Sequence, residues 1–174
     1  ECPAEARISD AAHMVLPLTS ALTLASQRWI GSPTSALAMT GALFRQIIPY
    51  PFVSDWRVRA DDVLVYGASI LGAKKVYVRS LGVGYRQHGS NLYAGNAKWT
   101  GPEQQALLDF RRARLLRIFS ARAGVRRYPG YAALKQELLL LDAAVQAYLR
   151  VDLNKLLRRS LRNKIKRMFL GDRA

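Results

Sequence analysis

Prolines set the tightest limits on how this chain can fold. Pro17, Pro49 and Pro51 stand in or beside apolar stretches, and a proline inside a helix removes one backbone hydrogen bond and clashes with the preceding turn. The mainly apolar segment Met14 to Ala25 therefore cannot form one long helix around Pro17. Gly31-Ser32-Pro33-Thr34-Ser35 is small and turn-prone and reads as a loop. A short helix is expected from about Thr40, which can cap it, to Ile48, where Pro49 stops it. Pro49-Tyr50-Pro51 then makes a rigid connection. A second helix is expected to be capped by Asp61, to run through Val63, Leu64, Ala68 and Leu71, and to end at Gly72. Lys75 to Arg79 alternates, with Val76 and Val78 on one side, and predicts a strand.

The character changes after Trp99. Three helices are expected, over Pro102 to Arg122, Tyr131 to Leu149 and Val151 to Leu170. Pro102 suits a first helical turn. Leu134, Leu138, Leu141, Val145 and Leu149 form an apolar stripe at helical spacing. In the last helix Leu153, Leu157, Leu161, Ile165 and Met168 share one face, with arginines and lysines largely opposite.

Charge divides the chain in the same way. The net charge is +15. Residues 1–100 carry ten Lys/Arg against six Asp/Glu, a net +4, whereas residues 101–174 carry seventeen against six, a net +11. The second half either seeks a polyanion or presents a solvated basic face. Its Arg111-Arg112, Arg126-Arg127 and Arg158-Arg159 pairs come with no recognition motif and no aromatic stacking platform, which argues against nucleic acid as a partner. The basic, amphipathic last helix suits an anionic membrane surface, or it packs on the rest of the fold with its charges in water. The single cysteine, Cys2, gives no disulfide framework and no zinc pattern. With no visible signal peptide or confident spanning segment, a cytoplasmic location is expected, with peripheral attachment to the inner face of the cell membrane.

Three local features can carry chemistry. Asp61-Asp62 is an acidic pair in a half where carboxylates are scarce, either as two helix caps or as a cap and an outward-pointing base or metal ligand. His88, within Tyr85-Arg86-Gln87-His88-Gly89-Ser90-Asn91, is either a metal ligand or a satisfied structural histidine. Arg86 can neutralise a phosphate or form a surface salt bridge.

Taken in order, Pro33-Thr34-Ser35-Ala36-Leu37-Ala38, Ile48-Pro49, Arg59-Ala60-Asp61-Asp62 and Tyr85 to Asn91 resemble family 2 glycosyltransferases over about Trp29 to Asn91. The resemblance implies the C-terminal part of a GT-A-like mixed α/β domain, over residues 1–99; the basic helical extension over residues 100–174 lies outside the resemblance. The resemblance implies transfer of a sugar from a nucleotide-sugar donor to a sugar or lipid-linked acceptor, inversion at the anomeric carbon, and a Mg or Mn ion. Asp62 matches the catalytic base and Asp61 its supporting partner. Thr34, Ser35 and Ala36 match the loop bordering the donor sugar, His88 a metal-holding histidine, and Arg86 a basic group facing the departing diphosphate. The family's Asp-x-Asp metal motif and upstream nucleotide-binding strands are not in this chain, so the chain by itself is expected to be inactive. Ala36 stands where many relatives carry Gly. The alternative from another class is a basic interaction module, binding nucleic acid or membrane without catalysis.

Overall fold

The computed structural model describes residues 13–32, 36–57, 59–78, 101–125, 130–141 and 143–149, together with Lys155, Arg158 and Arg162. They form a helix-rich mixed α/β arrangement with one two-stranded sheet.

Pro17 divides the first apolar segment as its chemistry requires. Strand β1 (His13–Leu16) precedes it and helix α1 (Ser20–Ser26) follows. Strand β2 (Lys75–Val78) pairs antiparallel with β1, placing His13 opposite Val78 and Leu16 opposite Lys75. Alternation puts Met14 and Leu16 into the core, while His13, Val15, Val76 and Val78 share the exposed outer face.

Helix α2 (Gly41–Ile47) is bracketed as expected. The Thr40 hydroxyl accepts from the Leu43 amide at 3.3 Å, and the helix ends one residue before the Ile48-Pro49 peptide, which is cis. Its C-terminal carbonyls meet a guanidinium from a distant helix. Arg122 donates to the carbonyls of Gln46 at 2.9 Å, Ile47 at 2.6 Å and Pro49 at 2.6 Å. These otherwise unmatched acceptors thereby gain a cation at the negative end of the helix dipole. A single 3-10 turn, Val53–Trp56, leads onward.

Helix α3 (Ala60–Ile70) is the central element. It buries Asp62, Val63 and every residue from Val65 to Ile70, so it is covered on most sides. Helix α4 (Pro102–Arg122) packs across it, with Pro102 in its first turn as expected. Gly67 permits the approach, because a Cβ there would lie 2.9 Å from Phe119 Cζ and 3.1 Å from Ile47 Cγ1. Ile47, Tyr50, Trp56, Tyr66, Leu115, Leu116 and Phe119 close this core.

Where one helix was expected from Tyr131 to Leu149, there are two: α5 (Tyr131–Leu139) and α6 (Ala143–Leu149), separated by a turn at Leu140 and Leu141. The apolar stripe still works, since Leu134, Leu138, Leu141 and Val145 are all buried with Met14, Leu16, Leu22 and Ile30. α5 is also tied to α1 by a buried carboxylate. Glu137 accepts from the Ser20 hydroxyl at 2.9 Å, the Ala21 amide at 2.8 Å and the Leu22 amide at 2.9 Å. It does for α1 what Thr19, the residue at the cap position, does not do with its own side chain. Helices from the second hundred residues thus complete both cores begun in the first. Among the described residues, no helix is long and apolar enough to cross a membrane. The expected helix over Val151 to Leu170 lies outside them, except for Lys155, Arg158 and Arg162.

Candidate active site at the start of helix α3

The acidic pair lies in the first turn of α3, but Asp61 does not cap it. Arg59 occupies the cap position with φ 69° and ψ 42°, a left-handed conformation costly for a side chain with a Cβ. Its carbonyl accepts from the Asp62 amide at 2.9 Å. With the backbone turned this way, the Arg59 side chain folds back over the helix start. Arg59 Nη2 donates to Asp62 Oδ1 at 3.2 Å, and Arg59 Nε lies 3.2 Å from Oδ2.

Burial separates the two carboxylates. Asp62 is 1% exposed, whereas Asp61 is half-buried. Asp62 Oδ2 is buried and has no hydrogen-bond partner among the described residues, its nearest cation making an ion pair only. Burial raises the Asp62 pKa above the usual carboxylate value. The Arg59 charge and hydrogen bond pull it back, Asp61 pushes it further up, and Arg112 of α4 lowers it. Arg112 also lies 6.0 Å from the ring centroid of Tyr66 and pairs with Asp109 at 3.2 Å. One helical turn after Asp62, Tyr66 donates from its hydroxyl to the Gln27 carbonyl at 2.8 Å, and burial raises its pKa as well.

The loop approaching the expected donor rim runs along the same helix. A Cβ on Gly31 would lie 2.5 Å from Val65 Cγ2, so glycine allows the backbone to cross α3 at close range. Just before it, the Ile30 carbonyl accepts from Lys75 Nζ, which also donates to the Ser69 hydroxyl. Burial alone pushes the Lys75 pKa down from 10.5 to about 8. Beyond the loop, Ala36 is exposed. Thr34, Ser35, Arg86 and His88 lie outside the described residues.

The described residues contain no group of three or more His, Cys, Asp or Glu able to hold a metal ion. The residues expected to meet the metal and the diphosphate, His88 and Arg86, lie outside the described residues, and the described Asp62, expected as the base, is engaged by Arg59. Sequence reasoning missed Arg59, Arg112 and Lys75 as shapers of this region. The only signal for Arg59 was its place immediately before Ala60-Asp61-Asp62. Comparison with protein-family models, curated proteins and solved structures finds no match.

Proposed function

We propose that this chain is the catalytic-base half of a family 2-like, GT-A-type glycosyltransferase that inverts configuration while moving a sugar from a nucleotide-sugar donor to an acceptor hydroxyl. The observation that carries the reading is Asp62. It is a buried carboxylate, one oxygen of which is held by an ion pair alone, set in the first turn of a central helix and clamped by the adjacent arginine. A general base works best with a pKa drawn towards the operating pH, and burial moves Asp62 in that direction.

In the proposed reaction Asp62 accepts the acceptor's hydroxyl proton as that oxygen forms a bond to the anomeric carbon. The bond from that carbon to the diphosphate oxygen breaks, and its electron pair leaves with the nucleoside diphosphate. Arg59 holds the carboxylate in orientation. The acceptor reaches Asp62 when the Arg59 guanidinium yields one carboxylate oxygen, because the carboxylate is otherwise enclosed. By resemblance, His88 would help hold a Mg or Mn ion, which would supply Lewis-acid stabilisation to the leaving diphosphate. Arg86, Thr34, Ser35 and Ala36 take their donor-side roles from the same resemblance. Sugar and lipid-linked acceptors of a bacterial surface polysaccharide or glycolipid fit the proposal, as does action at the cytoplasmic face of the membrane.

One observation favours a second assignment within the same chemistry. Asp61 is the more accessible carboxylate, so it can serve as the base while Asp62 and Arg59 fix the helix start. The nucleic-acid alternative has no recognition motif in the sequence to support it. The class is tested by incubating the complete enzyme, in which this chain is joined to the nucleotide-binding half that the reading requires, with a panel of nucleotide sugars and sugar acceptors. Acceptor-dependent release of nucleoside diphosphate is expected. Failure to bind any nucleotide sugar, together with failure to transfer, would reject the assignment.

A further inference from the structure

One surface of this fold sets exposed carbon beside arginine. Phe52 and Val53, at the turn into the 3-10 segment, are 39% and 69% exposed, and Phe110 on α4 is 60% exposed. Arg114 joins the two elements. Its guanidinium carbon lies 4.2 Å from the Phe52 ring centroid and 5.0 Å from that of Phe110. Leu107, one turn before Phe110 on α4, is also exposed. These side chains remain uncovered although the fold buries other aromatic residues, Tyr50, Trp56 and Phe119, close by.

The charge in this patch has one dominant sign. Arg111 and Arg114 share a single carboxylate: Arg114 donates to Asp55 Oδ2, and Arg111 Nε lies 4.0 Å from Oδ1. Two cations against one anion leave the locus positive, within a chain of net charge +15. The Asp55 ion pairs and the stacked rings also hold the arginines close to the apolar side chains, so cation and carbon are presented together.

This composition discriminates among anionic partners. A single-stranded nucleic acid gains affinity by stacking bases on free aromatic faces, but Arg114 already lies over both rings, and Val53 and Leu107 offer no π-face. An anionic bilayer uses both components. Lipid phosphates pair with the arginines while Phe, Val and Leu enter the boundary between headgroups and acyl chains. We propose that Phe52, Val53 and Phe110, together with Arg111 and Arg114, form a docking surface for the anionic phospholipids of a membrane. The proposal is independent of the catalytic reading, and it differs from docking through the basic segment at residues 151–170.

Vesicle co-sedimentation of the intact protein tests it, using phosphatidylcholine vesicles with and without phosphatidylglycerol, at low and high salt. The unsubstituted protein is expected to prefer the phosphatidylglycerol vesicles and to retain part of its binding in high salt. Combined Phe52→Ser, Val53→Ser and Phe110→Ser should weaken that binding by about tenfold or more and remove its salt-resistant part. Circular dichroism checks that the variant is folded. Val53→Ser alone, at the most exposed of these positions, should give a smaller loss in the same direction. Binding that is equal before and after the substitutions would overturn the proposal, since other basic residues would then account for it. So would failure to bind phosphatidylglycerol vesicles, or binding of a short single-stranded RNA in place of vesicles.

Discussion

Alkaline conditions should strengthen this fold, and Lys75 should be the reason. Its ammonium group is buried against the Ile30 carbonyl and the Ser69 hydroxyl, and desolvation alone moves its pKa from 10.5 to about 8. The folded pKa is below the unfolded one, so between these values the unfolded chain binds more protons and stability rises with pH. Below pH 8 the full penalty applies. A drop of about 2.5 pH units at about 1.36 kcal/mol each gives a penalty of about 3 kcal/mol at neutral pH. The linkage relation returns about 2 kcal/mol of this by roughly pH 9.5. Tyr50 and Tyr66, whose pKa values burial raises above 10.0, act in the opposite sense at higher pH, so the series should stop there. Urea unfolding at stepped pH measures the effect directly. Lys75→Met keeps a chain of similar length without a titrating group and should flatten the slope. Its stability at neutral pH should change little, because relieving the buried charge is offset by about 1–3 kcal/mol for the acceptors left unmatched. An unchanged slope in Lys75→Met, or a wild-type stability that falls across this range, would refute the reasoning.

Substitutions at Gly67, Glu137 and Arg59 probe the supports of the fold. Gly67→Ala should destabilise by about 1–3 kcal/mol in urea titrations, because its methyl group would press on Phe119 and Ile47, and trimming Phe119 to Leu in the same chain should recover part of the loss. Glu137→Ala should cost about 1–3 kcal/mol by stranding the Ala21 and Leu22 amides, and hydrogen exchange should report the loss first at the start of α1. Both Arg59→Gly and Arg59→Ala delete the ion pair with Asp62. The glycine variant should nevertheless be the more stable by about 1 kcal/mol in thermal or urea unfolding, because only it relieves the left-handed backbone at φ 69°.

What the sequence disclosed and what it withheld follow the range of the interactions involved. Thr40 and Pro49 bracket α2 because a cap and a breaker act within a few residues, and Pro17 and Pro102 are legible for the same reason. The break between α5 and α6 carries no proline or glycine, and the apolar stripe continues through Leu141 and Val145, so periodicity runs straight across it. Asp61 is a natural cap by residue type, but the backbone turns at Arg59, a conformation that arginine's propensity does not favour. Glu137 and Arg122 complete helix ends more than seventy residues away, contacts with no local signature. The Asp61-Asp62 pair was visible as a candidate, but its division into a buried and a half-buried carboxylate depends on α3 being enclosed by α4 and the neighbouring loops. Lys75 reads locally as a strand residue, and its burial arises only from packing against Ile30 and Ser69.

The proposed chemistry is best judged by comparing Asp62→Asn with Asp61→Asn in the complete enzyme, with the nucleotide-binding half joined to this chain, measuring sugar transfer and donor binding separately. Asp62→Asn should remain folded at neutral pH. Burial raises the Asp62 pKa from 3.8, so the stability linked to its proton is fully present below that value and is lost as pH rises through the folded pKa. A neutral amide avoids that loss. If Asp62 is the base, its amide should reduce transfer by at least about a hundredfold while leaving donor affinity within about threefold, since a base contributes to the transition state rather than to ground-state binding. Asp61→Asn should then retain more activity. Near-normal transfer by folded Asp62→Asn, with the loss falling on Asp61→Asn instead, would move the base to Asp61. Near-normal transfer by both would remove the acidic pair from the mechanism.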